Sequence, residues 1–180
     1  MTPAAQSSRY TSRAMRPLLG IFPATAVAIQ CTLFDKSTTR NWLVALHQDL
    51  SVPVRERIVH PDFTGWSGKE GVLFVQPPQA ILESLVAVRV HLDDCGPGAG
   101  PLRIVPGSHR HGRLSDAEAR RLRETQGEFS CLAKIGDALL MRPLLLHASS
   151  KATAPSRRRV LHFLFGPAEV PYALRWNNAV

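Results

Sequence analysis

Long apolar runs are missing from this 180-residue chain. No stretch reaches the roughly 20 apolar residues that a membrane helix requires, which argues against a membrane-embedded protein. Cysteine is scarce. Cys31, Cys95 and Cys131 are widely spaced and odd in number. They form neither a CxxC zinc pattern nor a disulfide framework, and they fit a reducing compartment, the cytoplasm. Acidic residues are in the minority, with 14 Asp and Glu against 22 Lys and Arg and a formal net charge of +8. Arg110, Arg113, Arg120, Arg121, Arg123 and the triplet Arg157, Arg158 and Arg159 hold much of the excess. Such charge attracts small anions or nucleic acid. No aromatic platform or nucleic-acid motif accompanies it, so an anionic small molecule is the expected partner. There is no internal repeat and no low-complexity linker.

What is present is ordinary globular composition, 44% hydrophobic and 20% charged, in a length that suits one domain. Residues 1–16 are polar and read as a disordered N-terminus, leaving residues 17–180 as a single domain. Arg9, Arg13 and Arg16 precede an apolar stretch that contains Ala26-Val27-Ala28, a weak match to a secretory leader. Pro17, Gly20 and Pro23 interrupt it, and residues 24–34 read better as a buried strand. Residues 42–46 form a second strand. Residues 51–78 are rich in Pro and Gly and read as a long irregular lid, lined by Arg55, Arg57, His60 and Trp66. Residues 81–92 read as a strand, clearest where Val86, Val88 and Val90 alternate with Ala87, Arg89 and His91. Strands are also expected at 102–105, 138–141 and 158–165. After Gly136-Asp137 the chain is expected to run to His147 as a hairpin. One helix is clear. Ser115 and Glu118 form a capping box ahead of residues 117–126, and Gly127 can stop them. Many short strands with little helix indicate a mainly β barrel or sandwich.

The chemistry concentrates in two places. His47-Gln48-Asp49 closes the apolar strand 42–46, and residues two apart on a strand face the same side. His147 follows Leu144-Leu145-Leu146, with Ser149 two positions on. Two imidazoles and one carboxylate occupy one face of an octahedron and leave positions open, the ligand set of non-heme Fe(II). On a strand over 158–165, Arg158 shares a face with Val160, His162 and Leu164, while Arg157 and Arg159 face the other way. A single inward arginine suits a carboxylate. His109 and His111 follow the turn Pro106-Gly107-Ser108 and read as surface or pocket rim.

The chain resembles the phytanoyl-CoA dioxygenase family of Fe(II)/2-oxoglutarate oxygenases. The resemblance rests on Asn41-Trp42-Leu43, His47-Gln48-Asp49-Leu50, Leu92-Asp93-Asp94, Gly100-Pro101-Leu102, Pro106-Gly107-Ser108-His109, Gly136-Asp137 and His147-Ala148-Ser149 with Arg158, in that order. It implies a double-stranded β-helix, a jelly-roll or cupin-like barrel with a few peripheral helices. It implies His47, Asp49 and His147 as ligands of Fe(II), with 2-oxoglutarate and O₂ as cosubstrates. Arg158 and Ser149 would hold the distal carboxylate, with Arg157 or Arg159 in that role if the register shifts by one. Gln30 would be a polar cosubstrate contact. The implied reaction is hydroxylation of a small molecule coupled to decarboxylation of 2-oxoglutarate to succinate and CO₂. Family members usually carry a longer helical region ahead of the first motif strand. The rival readings are a cupin-like metalloprotein that does not use 2-oxoglutarate and a non-catalytic binding module of the same fold.

Overall fold

The computed structural model describes residue 22 and residues 25–180. The expected disordered segment, residues 1–16, lies outside the described residues, as do the three arginines of the leader-like stretch. Ala26, Val27 and Ala28 are built into β1 (Ala26–Lys36). This strand extends two residues further than expected, to Lys36.

Two four-stranded antiparallel sheets enclose the functional cavity. The first has the order β1, β11 (Arg158–Pro167), β6 (Val86–His91), β9 (Ala138–Met141). The second has the order β2 (Val44–His47), β10 (His147–Ser149), β7 (Leu102–Ile104), β8 (Phe129–Cys131). Apart from the β7–β8 pair, the chain crosses from one of these two sheets to the other, which is the winding of a jelly roll, as the family resemblance implied. Strands β9 and β10 therefore do not form the expected hairpin. β9 pairs with β6, whereas β10 pairs with β2 and β7. The intervening Arg142-Pro143-Leu144 segment carries the chain from one sheet to the other, and Pro143 cannot donate a ladder hydrogen bond there.

The 51–78 segment is not an irregular lid. It holds a third antiparallel sheet, β3 (Val52–Val54), β5 (Val72–Gln76) and β4 (Thr64–Lys69), in that order. Glu70 and Gly71 both have positive φ, 50° and 79°, and make the two-residue turn between β4 and β5. That twist matches the twist of a hairpin. The first half of the expected strand over 81–92 is a short helix, α1 (Gln79–Ser84). Pro78 precedes it, and Gln79, Ala80, Leu82 and Glu83 are good helix formers. The second half is β6. The longer helix α2 (Asp116–Gln126) starts with both hydrogen bonds of the Ser115–Glu118 capping box. Its Ala119 and Leu122 cover Val105 and Leu146.

The main core is built around Leu82, Leu85, Met141, Leu144 and Leu164, the last of which also lines the cavity. The valine face of β6 packs on the outside of its sheet, against Phe165. The alternate residues, Ala87, Arg89 and His91, are buried as well and face inward. No helix among the described residues is long and apolar enough to cross a membrane.

Candidate metal centre

His47 ends β2, Asp49 follows it, and His147 opens β10 directly opposite, in register with His47. The three side chains offer ligand atoms that all lie within 4.8 Å of one another. His47 Nε2 is 3.5 Å from Asp49 Oδ1, and His147 Nε2 is 3.7 Å from Asp49 Oδ2. The other ring nitrogens point away. His47 Nδ1–H donates to Ala45 O at 2.8 Å, and His147 Nδ1–H donates to Leu145 O at 2.9 Å. Those bonds place the proton on Nδ1 and leave both Nε2 lone pairs aimed at the Asp49 carboxylate; a bond from the other ring nitrogen to a carbonyl is what commonly orients a histidine for a metal. His147 has 5% of its side-chain surface exposed, whereas His47 and Asp49 keep 40% and 36%. The open side of the triad thus faces the cavity mouth.

Protonation favours the same chemistry. Burial alone would raise the Asp49 carboxyl, but the contact with His47 and the nearby His147 and His162 rings outweigh it and hold it at about 2. Burial pushes His147 below the ordinary imidazole value, while its contact with Asp49 raises His47. A carboxylate and a neutral imidazole are the ligating forms.

The residue between His47 and Asp49 faces the opposite way and fixes them. Gln48 is buried. Its Nε2 donates to Gly112 O at 2.8 Å and Leu144 O at 2.7 Å, and its Oε1 accepts from Leu114 N at 2.9 Å. Asp49 N–H also donates to Pro143 O at 2.9 Å. On the other strand, fully buried Ser108 accepts from Leu146 N at 2.8 Å, next to His147. Gln48 and Ser108 stand inside the quoted motifs, but reading those motifs for ligands passed over them.

A cavity of about 380 Å³ opens beside the triad. Gln30, Phe34 and Lys36 from β1, Arg89 from β6, and Arg158 and His162 from β11 line it. Arg158 is buried, and its Nη2 lies 3.4 Å from Ser149 Oγ. Its Nε and Nη1 have no hydrogen-bond partner among the described residues. Ser149 Oγ accepts from Lys36 Nζ at 2.9 Å and donates to Gly100 O at 3.0 Å. Gly100 has φ 65°, and a Cβ there would sit 2.5 Å from Ser150 O, so only glycine lets this loop lie against β10. Gln30 lines the cavity wall, with Nε2 donating to Thr32 Oγ1 at 3.2 Å. Arg157 and Arg159 point elsewhere. Arg157 makes a two-pronged pair with Asp35 at 3.1 Å, and Arg159 grips Asp93 at 2.7–2.9 Å.

Lys36 and Arg89 were not singled out in the sequence, yet both are buried against the cavity. Burial and the neighbouring Arg158 push the Lys36 amine down to about 8. Burial and Arg158 lower Arg89 to about 10. The expected lid residues Arg55, Arg57, His60 and Trp66 do not line the cavity. Arg57 lies over the Trp66 ring, and His60 packs with Phe63 and Tyr172. The segment contributes Ser51, Lys69 and Phe74 to the lining instead. His111 is exposed, and His109 borders a separate cleft with Glu83, Arg110 and Arg142.

The sequence model of phytanoyl-CoA dioxygenase (PhyH) matches residues 11–160. The chain belongs to the phytanoyl-CoA dioxygenase family. No curated protein matches it. Among solved structures, AviO1 from Streptomyces viridochromogenes Tue57 is 23% identical with a TM-score of 0.56, over 81% of this chain and 53% of AviO1. EctD from S. alaskensis, in its apoform, is 18% identical with a TM-score of 0.58, over 82% of this chain and 49% of EctD. HygX from Streptomyces hygroscopicus, with nickel and 2-oxoglutarate bound, is 19% identical with a TM-score of 0.60, over 92% of this chain and 66% of HygX. These likenesses establish the jelly-roll fold of the family. The chain spans about half the length of AviO1 and EctD.

Proposed function

We propose that the protein is an Fe(II)/2-oxoglutarate-dependent dioxygenase that hydroxylates a small molecule, with conversion of 2-oxoglutarate to succinate and CO₂. His47, Asp49 and His147 would hold the iron, and Arg158, Ser149 and Lys36 the distal carboxylate of 2-oxoglutarate. Gln30 would line the cosubstrate's flank. The observation that carries this reading is the pairing of a three-ligand cluster with a buried arginine whose Nε–H and Nη1–H are unmet. A buried donor without a partner is costly, and a ligand carboxylate would satisfy this one. A metalloprotein of the cupin type without an oxo acid leaves that arginine unexplained.

Iron, when bound, would supply the activation of O₂ and the oxidising power for the C–H bond. The chain's own residues do the rest. Leu145 O and Ala45 O keep the two imidazoles in the ligating tautomer. Gln48 and Ser108 hold the two motif strands in place. Phe34, Trp42, Phe74 and Leu164 line the cavity with apolar surface and exclude water from it. The substrate is a small molecule, with anionic character favoured by the basic lining. The three free cysteines and the need for ferrous iron suit a reducing compartment such as the cytoplasm. Residues 17–180 would act as one domain.

The test is an anaerobic titration of the full chain with Fe(II) and 2-oxoglutarate, followed by visible absorption. A weak charge-transfer band is expected only when both are present, and Asp49→Ala should abolish it. No band from iron-loaded wild-type protein would overturn the reading.

A further inference from the structure

Arg89 is a buried cation that pairs with no acid among the described residues, although the charge of Asp49 across the cavity acts on it. It sits in the middle of β6 and is 6% exposed. Its Nη1 donates to Nδ1 of His162, its cross-strand neighbour on β11, at 2.9 Å. The guanidinium lies over the Phe34 ring, 5.2 Å from the centroid, and Phe34 meets His162 edge-on. Its Nε is buried and has no partner among the described residues. Because Nδ1 of His162 accepts, the proton of that ring is on Nε2. Arg89 and His162 both line the cavity, so a guanidinium N–H and an imidazole N–H face the same space.

The charges around that space do not balance. Lys36, Lys69, Arg89 and Arg158 line the cavity, against Asp49 as the one acid among the described lining residues. A divalent metal and one dicarboxylate cancel each other. The buried cations Lys36, Arg89 and Arg158 then still face a single carboxylate. Burying a charge with unmet donors is strongly unfavourable unless an anion arrives to meet them. An aliphatic residue in place of Arg89 would serve the strand better, as Val86 and Val88 serve the outer face.

We propose that Arg89 and the Nε2–H of His162 form a second carboxylate-binding subsite of the cavity, separate from the one made by Arg158, Ser149 and Lys36. The proposal rests on the dioxygenase reading above. The carboxylate has two sources: the metal-side end of the oxo acid, which would meet the open donors of Arg89 without changing the charge count, or an acidic group on the substrate to be hydroxylated, which would also offset the excess. Either is recognised by the same pair of donors.

Calorimetry on the nickel-loaded full chain in chloride-free buffer separates them. The probes are 2-oxoglutarate, and then acetate added to the 2-oxoglutarate complex. If the oxo acid supplies the carboxylate, Arg89→Gln weakens 2-oxoglutarate binding by about tenfold or more. If the substrate supplies it, 2-oxoglutarate affinity changes by less than about threefold. Acetate then binds the wild-type complex and not the Arg89→Gln complex. Arg89→Lys keeps the charge without the fork and should show the same loss to a smaller degree, which serves if Arg89→Gln does not fold. An Arg89→Gln protein that folds and binds both probes like wild type overturns the proposal. Should wild-type protein bind no 2-oxoglutarate at all, the dioxygenase reading falls on its own. Acetate alone then decides, since binding that Arg89→Gln abolishes supports the subsite and an absence of binding to wild type removes it.

Discussion

Arg157, Arg158 and Arg159 are adjacent on the chain and meet different surroundings. Arg157 and Arg159 are neutralised by Asp35 and Asp93 on the outside, and Arg158 is buried with open donors. Arg158→Ala should therefore weaken 2-oxoglutarate binding to nickel-loaded protein by on the order of 2–5 kcal/mol, the cost of losing a buried charge-assisted contact. Nickel affinity itself should stay close to wild type, because Arg158 touches none of the three candidate ligands. Arg157→Ala and Arg159→Ala should leave oxo-acid affinity nearly unchanged. Calorimetry of the three variants checks this, and a large loss in Arg157→Ala or Arg159→Ala would put the clamp on the wrong residue. Alternation along β11 was enough to separate Arg158 from its neighbours in the sequence. The same alternation, carried along β1 from Gln30 through Thr32 and Phe34, reaches Lys36. It was missed because the strand was expected to end at Phe34, two residues short of Lys36. Arg89 was missed for a different reason. A strand with one valine face and one polar face does not say which face looks inward, and here both are buried.

Elements hold the candidate ligands through a few buried side chains. Gln48 ties the end of β2 to the loop carrying Gly112 and Leu114 and to Leu144, just ahead of β10. Gln48→Ala leaves two carbonyls and one N–H without partners. Each unmet buried group costs about 1–3 kcal/mol, so a loss on the order of 2–4 kcal/mol in urea unfolding is expected after partial relaxation and water entry. Metal affinity should fall with it, since the strand ends that present Asp49 and His147 lose their common brace. Gln48→Glu should be no milder, because it sets a carboxylate against two carbonyl oxygens. A Gln48→Ala protein with wild-type stability would show that water replaces the amide fully. At this scale the sequence was legible where a local rule decides. The capping box at Ser115 marked the start of α2, and the apolar run over residues 160–165 marked β11. It was misleading in the 51–78 segment, where the glycines of Thr64-Gly65-Trp66-Ser67-Gly68 hid β4 and the Glu70-Gly71 turn passed unnoticed. Nor could local pattern show that β9 and β10 belong to different sheets, since that follows from the winding of the whole barrel.

The whole molecule buries several imidazoles inside one basic barrel, and this sets its response to acid. His91, His147 and His162 are all held below the ordinary imidazole value, first by burial; Arg89 then adds to the effect at His91 and His162, whereas at His147 burial outweighs the upward pull of Asp49. For His162 the value falls from 6.5 to about 4. Between those two values the unfolded chain binds a proton that the folded chain refuses. Stability therefore rises with pH across this window and is lost as pH falls from 6.5 towards 4. The shift at His162 alone corresponds to roughly 3 kcal/mol. His47 runs the other way, because Asp49 raises it, and protonation in acid favours the folded form there. It stands at the cavity mouth with 40% of its side chain exposed, so water screens its contribution and the buried rings dominate. Urea unfolding of metal-free protein in the presence of a chelator, at pH 7, 5.5 and 4.5, should show a steep loss on the acid side. His162→Gln keeps an acceptor for Arg89 but has no proton to gain, so its acid limb should be flatter by the share that His162 carries. An acid limb as steep in His162→Gln as in wild type would assign the loss to the other buried rings and show that Arg89 does not hold His162 neutral.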